Sequence, residues 1–396
     1  MKTINKCEVC GNQSLIEVLD LGKHPLCDDL IPVGEKKVSN EYPIEILFCK
    51  NCLTAHQKYQ VPKDILFTSN YHYRARMTGS VLLGMKDLVD SCEKRIGNLE
   101  NKLVLDIGSN DGSLLNFFKE KGCKTIGVEP TSAAKDSDHY TINSFFDETV
   151  AKEIVEKFGK PDLITFTNVF AHIDNLQELI SNVKSLMKKN TFLVIENHYL
   201  GSVLKYGQFD TFYHEHPRTY SCESFKHIAK KLDKKLTDVQ FTSRYGGNIR
   251  VFISDVSNNS LVFDESNFEQ KFSIMKNNMN EWIDLTKNKL LELVKIHGPL
   301  KAKAFPGRAA ILIKLLDLQN DKISNVFEII GSKKIYHYVP STKIPILPEK
   351  ELYNIMKPDD IIINLAWHLP QEVKRNLLKN NFKGEIINIK EFKQIN

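Results

Sequence analysis

No stretch of the chain reaches eighteen consecutive apolar residues, so the sequence offers no transmembrane helix. The opening residues, Met1 to Cys7, lack the apolar run of a signal peptide. No internal repeat or low-complexity tract stands out either. An excess of one charge sign is also missing. The 54 Lys and Arg against 49 Asp and Glu leave a formal charge of +5, spread along the chain, which is poor ground for a nucleic-acid partner. Cysteine is sparse. Of eight, four stand as two Cys-x-x-Cys pairs, while Cys27, Cys92, Cys123 and Cys222 are scattered singly. In a reducing compartment such pairs read as metal ligands or redox pairs and not as structural disulfides. These absences lead to the expectation of a soluble cytoplasmic protein with neither membrane nor nucleic acid as partner.

At 396 residues the chain is too long for one ordinary core, and two or three domains are expected. Residues 1–62 are short segments broken by Gly, Pro and Asn, with a cysteine pair at each end. The spacing of Val, Leu and Met predicts a helix over Val81–Leu99. The apolar runs Lys102–Ile107, Thr125–Val128, Leu163–Thr167 and Phe192–Ile195 then read as buried parallel strands, with Ser113–Lys121 and Glu148–Phe158 as crossover helices. Residues 206–255 read as an antiparallel elaboration turning at Gly246-Gly247, and Asp264–Lys295 as a charged amphipathic helix. A second, shorter α/β pattern follows, with helix-like Ala309–Leu318, strand-like Lys334–Tyr338 and the apolar run Ile361–Leu365.

Cys7-x-x-Cys10 and Cys49-x-x-Cys52 are separated by 38 residues. Each pair can present two thiolates from a tight knuckle, and two knuckles complete a tetrahedral Cys₄ zinc site that holds a fold together and does no chemistry. A thioredoxin-like redox pair belongs at a strand end in a βαβ unit, which is absent here. The densest motif is Asp106-x-Gly108-Ser109-Asn110-x-Gly112, at the end of a strand and the opening of a helix. Its glycines admit a ligand close to the backbone, and its spacing departs from the dinucleotide fingerprint G-x-G-x-x-G, which counts against NAD. S-adenosylmethionine (SAM) has no phosphate to seat, and its amino group calls for carboxylates and carbonyls. Glu129, followed by Pro130, stands about twenty residues after the loop and is placed to accept ribose hydroxyls. Asn168 and His172 follow the Leu163–Thr167 strand and close over the cofactor.

Taken with Gly207-Gln-Phe-Asp-Thr-Phe-Tyr213-His214-Glu215-His216, Gly246-Gly247-Asn-Ile-Arg250 and Tyr338-Val-Pro-Ser-Thr342, these motifs resemble the three-domain sugar C-methyltransferases that act on nucleotide-linked deoxy-keto-sugars. The resemblance runs over nearly the whole length. It implies an α/β protein with a small zinc-binding domain (1–70), a Rossmann-like SAM domain (71–295) and a C-terminal α/β domain for the nucleotide sugar (296–396). It also implies that Tyr213, Glu215 and His216, with Tyr71 or Tyr73, line the sugar pocket, His216 serving as base. The chain departs from the family at Arg74-Ala-Arg76-Met-Thr and at Ala304-Phe-Pro306-Gly-Arg308-Ala.

Carbon methylation needs an enolate: a base removes an α-proton, a donor stabilises the oxyanion, and the carbon faces the sulfonium methyl. A neutral histidine suits the first task and a tyrosine hydroxyl the second, while a carboxylate can orient the imidazole. Residues 213 and 215 share a face on an extended strand, so a bend is needed to bring His216 round. His214-Glu215-His216 as a second metal site lacks a third protein ligand. In the last domain Lys303 and Arg308 are the candidates to grip a diphosphate, and Trp367 reads as core. The expected reaction is methyl transfer to a ring carbon of a nucleotide-diphosphate sugar, with methylation of a sugar hydroxyl as the alternative, by a monomer or weak homodimer.

Overall fold

The computed structural model describes residues 1–67, 73–255 and 261–390. The chain divides into two compact units. One comprises residues 1–16, 47–203 and 215–269; the other comprises residues 17–46, 204–214 and 270–396.

In the first unit the elements that matter for function are β1 (Thr54–Gln57), α1 (Gly79–Ile96), β2 (Leu103–Ile107), α2 (Ser113–Glu120), β3 (Lys124–Val128), β4 (Tyr140–Ile142), α3 (Glu148–Phe158), β5 (Leu163–Thr167), α4 (Leu176–Leu186), β6 (Phe192–His198), β7 (Arg218–Thr219), α5 (Cys222–Lys231), β8 (Lys235–Thr242) and β9 (Asn248–Ser254). Seven of the strands form one sheet in the order β8-β9-β6-β5-β2-β3-β4. Pairing is parallel from β4 through to β6, and β9 runs antiparallel to both β6 and β8. The order reverses direction between β2 and β5, so loops leaving those strands open a crevice at the carboxyl edge, where such sheets bind ligands.

Side chains alternate across this sheet. Val104, Leu163, Val194 and Phe252 face one core with Leu88 and Val89 of α1 and Leu115 and Phe118 of α2. Their neighbours Leu105, Ile164, Leu193 and Val251 face the other core with Ile154 of α3, Leu179 of α4 and Phe225 of α5. This is the period of two expected of a strand buried on both faces. Each fully buried aliphatic side chain contributes about 1.5–3 kcal/mol relative to exposure. Cys7, Val9, Cys49 and Cys52 join the second core, so the cysteine knuckles pack on the sheet's α3–α5 side. Local signals fix the helix ends. Asp147 accepts the Val150 N–H at the start of α3, and Gly159, at φ 80°, ends it.

The second unit contains α6 (Phe268–His297, from its third residue on), β10 (Leu300–Lys303), α7 (Ala309–Leu315), β11 (Ile323–Glu328), β12 (Ile346–Pro348), α8 (Glu349–Ile355), β13 (Ile361–Asn364), α9 (Pro370–Lys379) and β14 (Glu385–Asn388). Its strands form an all-parallel sheet in the order β12-β11-β10-β13-β14. This is again a doubly wound order, reversing between β10 and β13. The strand expected over Lys334–Tyr338 shrinks to His337–Tyr338. Lys334 instead turns its amine to the Phe305 carbonyl and towards Asp28. None of the described helices is long and apolar enough to cross a membrane.

Candidate functional site

The four knuckle cysteines converge. Cys7 Sγ lies 3.4 Å from Cys52 Sγ, and Cys10 Sγ lies 3.6 Å from Cys49 Sγ. All four sulfurs are within 4.8 Å of one another. Four thiolates placed tetrahedrally at the usual zinc–sulfur distance stand about 3.8 Å apart, so the donor set fits zinc with no open position. The Cys10 N–H points at Cys7 Sγ and the His56 ring at the same sulfur, 3.3 Å away, as outer-shell partners of a thiolate do.

At the carboxyl edge of the first sheet, β2 ends in Asp106-Ile107 and the loop turns through Gly108 and Gly112, both at φ 77°. A Cβ on Gly108 would lie 2.4 Å from Val169, and one on Gly112 would lie 2.6 Å from Ser137. Only glycine gives this loop its path. Asp106 is buried, and its carboxyl accepts the Thr165 hydroxyl at 2.7 Å. Burial raises its pKa to about 7, the Thr165 hydroxyl holding it down and the Glu129 charge adding to the rise. Glu129, at the end of β3, accepts the Asn110 N–H at 3.0 Å and the Thr131 N–H at 2.8 Å. Pro130 follows within that turn. Asn110 is itself pinned to the segment before α1, donating to the Tyr73 carbonyl and accepting the Ala75 N–H. Arg76 pairs with Asp111 at 3.0 Å and Arg74 with Asp136 at 2.6 Å, so Arg76 straps that segment to the loop and Arg74 straps it to the turn after Glu129. Buried polar atoms without a hydrogen-bond partner gather along this edge: Ser109 Oγ, Thr167 Oγ1 and His172 Nδ1. Each leaves polar capacity that a bound ligand or a water can satisfy.

The histidines meet beside them. The bend needed to bring His216 round is present, as residues 214–215 form a turn between Phe212-Tyr213 and β7. The His216 ring stands 4.8 Å from that of His172, at the end of a short turn of helix Phe170–His172, and 5.1 Å from that of His198, the last residue of β6. Glu215 Oε2 approaches His172 Nδ1 at 3.9 Å. His172 is neutral at pH 7, burial lowering its pKa to about 4. Asn168, at φ 53°, accepts the side-chain amide of Asn248 at 3.0 Å. Behind it, the buried Glu196 receives Arg244 at 2.7 Å and Arg250 at 2.8 Å.

Two of these features escape a reading of the sequence. His198 lies at a strand end, three residues past the apolar run Phe192–Ile195. Tyr245 carries a positive φ of 52°, rare for a bulky residue. Its ring stands 5.8 Å from that of His198, and its hydroxyl lies 3.1 Å from that of Tyr73. An unexpected histidine and a strained aromatic before Gly246-Gly247 are the only signals either leaves. Of the two candidate tyrosines, Tyr73 is thus placed at this edge, and Tyr71 lies outside the described residues. Tyr213 belongs to the second unit.

In that second unit Lys303 and Arg308, the expected diphosphate grip, each stand in an ion pair. Lys303 is buried and its amine sits 2.6 Å from Glu349. Arg308 is buried with Nε 2.8 Å from Asp210 and Nη2 2.6 Å from Thr211. Lys390 Nζ, 2.9 Å away, and Trp367 Nε1, 2.7 Å away, also point at Asp210. Arg308, Trp367 and Lys390 follow β10, β13 and β14, so Asp210 meets them at the carboxyl edge of this sheet. Burial pushes the Asp210 carboxyl up, and the Arg308 and Lys390 charges pull it well below the usual carboxylate range.

Residues 7–67 match a zinc binding domain family, residues 75–239 a family described as methyltransferase domain, and residues 245–387 a family described as C-methyltransferase C-terminal domain. Three such matches in this order make the chain similar to C-methyltransferases with an N-terminal zinc-binding domain. The C-methyltransferase NovU of Streptomyces niveus is 31% identical over 258 residues, 64% of this chain and 61% of that relative. The match therefore spans less than two thirds of the relative's length. Among solved structures, magnesium protoporphyrin IX methyltransferase from Synechocystis PCC 6803 with bound SAM is 15% identical at a TM-score of 0.33, covering 43% of this chain and 79% of that one. The mitomycin 7-O-methyltransferase MmcR is 15% identical at a TM-score of 0.35, covering 46% and 56%.

Proposed function

We propose that the chain is a SAM-dependent methyltransferase that acts on a nucleotide-linked keto sugar and methylates a ring carbon beside the ketone. One observation carries this reading most: His216 is set against His172 at the same sheet edge as the Asp106–Gly112 loop, in a chain with a C-methyltransferase C-terminal domain. SAM supplies an electrophilic methyl group on a sulfonium. Asp106, Gly108, Ser109, Asn110 and Gly112 form its methionine-side cradle, and Glu129 takes the ribose. Asn168 closes that cradle, and the relative named a C-methyltransferase supports transfer to carbon.

His216 acts as base. An imidazole nitrogen takes the α-proton, and the C–H electron pair moves into the ring carbon–carbonyl system as an enolate. That carbon then forms the new C–C bond as the methyl–sulfur bond breaks, and the proton on His216 leaves to water. Neutral His172 packs against the His216 ring and limits its rotation, and Glu215 offers its carboxylate to the histidine pair. Tyr73, and Tyr213 three residues ahead of the base in the chain, are the candidate donors to the enolate oxygen. The domain limits 1–70, 71–295 and 296–396, a cytoplasmic setting and a monomer or weak homodimer belong to the same proposal. The test is to incubate the purified chain with a 4-keto nucleotide sugar and S-adenosylhomocysteine in deuterated water. Exchange of the α-proton that His216→Asn abolishes is expected. Wild-type protein that exchanges nothing and forms no S-adenosylhomocysteine from SAM with any nucleotide sugar sinks the reading.

A further inference from the structure

The strand that follows the second cysteine knuckle pairs with the strand that follows the base. β1 and β7 are antiparallel, with Arg218 opposite His56 and Thr219 opposite Ala55, and the Gln57 N–H donates to the Pro217 carbonyl at 2.8 Å. The knuckle also reaches the start of α5. The Ser221 and Ser224 hydroxyls donate to the Cys52 carbonyl at 3.3 and 3.0 Å. Within this frame Arg218 has a fully buried guanidinium. Its Nη1 sits 2.5 Å from Glu8, the residue after zinc ligand Cys7, and its Nε donates to the Tyr220 hydroxyl at 3.0 Å. Nη2 donates to the Ile173 carbonyl, and Nη1 lies 3.4 Å from that of Asp174. Ile173 and Asp174 directly follow His172, and Arg218 stands two residues after His216. Glu8 is fixed in turn by Gln60 at 2.8 Å and Lys2 at 2.6 Å, and its carbonyl accepts from Gln177 of α4.

We propose that Arg218, with Glu8, is a positioning residue that carries the geometry of the zinc knuckle to the His172–His216 pair. One planar guanidinium bonds the knuckle on one side and the backbone behind His172 on the other, while its own strand begins just past His216. A knuckle merely closing its own small fold has no need of a buried charge. The planar fork of an arginine fixes direction at several acceptors at once. Replacing both members of a buried pair by apolar or neutral groups of similar volume is often neutral for stability. Orientation can therefore be removed without removing the fold. The inference rests on the methyltransferase reading for its kinetic readout only.

The test uses the zinc-loaded full chain carrying Glu8→Gln with Arg218→Met, and separately Arg218→Lys. The expected double variant keeps one zinc per chain and binds S-adenosylhomocysteine within about threefold of wild type. Its kcat falls between about tenfold and a hundredfold with KM for the acceptor unchanged, as a small misplacement of a reacting group does. The ring C–H resonances of His172 and His216 shift, and Arg218→Lys recovers part of both effects. Full kcat with unmoved histidine resonances overturns the proposal. So does loss of zinc or of the folded state in both variants, which assigns the pair to stability alone. If the wild-type chain methylates nothing, the functional reading fails, and the histidine resonances still decide the positioning role.

Discussion

Asp210→Asn is the substitution whose cost follows most directly from the structure. The Asp210 carboxylate is completely buried and shared by Arg308 at 2.8 Å and Lys390 at 2.9 Å, with the Trp367 indole N–H at 2.7 Å. An amide keeps the shape and removes the charge, so two buried cations lose their common counter-ion. Breaking a buried pair in this way costs about 3–5 kcal/mol. Lys390 can escape part of that by releasing its proton, because burial already lowers its pKa to about 8. Arg308 has no such route. Both tryptophans of the chain, Trp282 and Trp367, belong to the second unit, so urea unfolding followed by tryptophan fluorescence reports on it directly. A loss of about 3 kcal/mol or more near pH 7 is expected, with an unchanged denaturant slope. A loss below about 1 kcal/mol, the scale of an exposed pair, refutes the reasoning.

The same lysine predicts a pH dependence: its folded pKa of about 8 lies below that of an unfolded lysine, so its contribution is full at high pH and lost as pH falls through about 8. Urea midpoints of wild type against Lys390→Met across that range check the sign. Gly84→Ala puts a methyl 2.2 Å from the Arg244 side chain, and overpacking of this kind costs about 1–3 kcal/mol in thermal unfolding; an unchanged melting temperature contradicts it. Gly108→Ala meets both a φ of 77° and Val169 at 2.4 Å, and calorimetry should show S-adenosylhomocysteine binding lost while the zinc content stays. Asp106 gains its charge as pH rises through about 7, so affinity for SAM, whose amino group seeks a carboxylate, is expected to strengthen in that direction; a flat profile removes Asp106 from the cradle.

The parts of the structure that follow local rules are visible in the residues. Apolar runs give β2, β5 and the core of β6 to within a residue or two, because a strand buried on both faces is a continuous apolar segment. The cysteine spacing marks the four converging sulfurs, since a knuckle needs two thiolates two residues apart. The long strands Leu15–Pro25 and Glu41–Cys49 are hidden, their alternation carried partly by Glu, Asp, Gly and Pro, which read as breakers. Partnerships over long separations are hidden for a different reason. Glu8 and Arg218 are 210 positions apart, and Arg308 and Asp210 are 98 apart. Nothing in the local pattern at Arg308 distinguishes a phosphate grip from half of a buried ion pair, and only the fold brings the carboxylate to it.

Identifying the atom that receives the methyl group tests the central claim most directly. The purified chain is given SAM with a carbon-13 methyl and a panel of nucleotide-linked 4-keto and hydroxy sugars, and each product is examined by mass spectrometry and carbon NMR. The account predicts label in a C-methyl group on a ring carbon adjacent to the ketone. A methoxy resonance contradicts the enolate mechanism and assigns the chain to hydroxyl methylation.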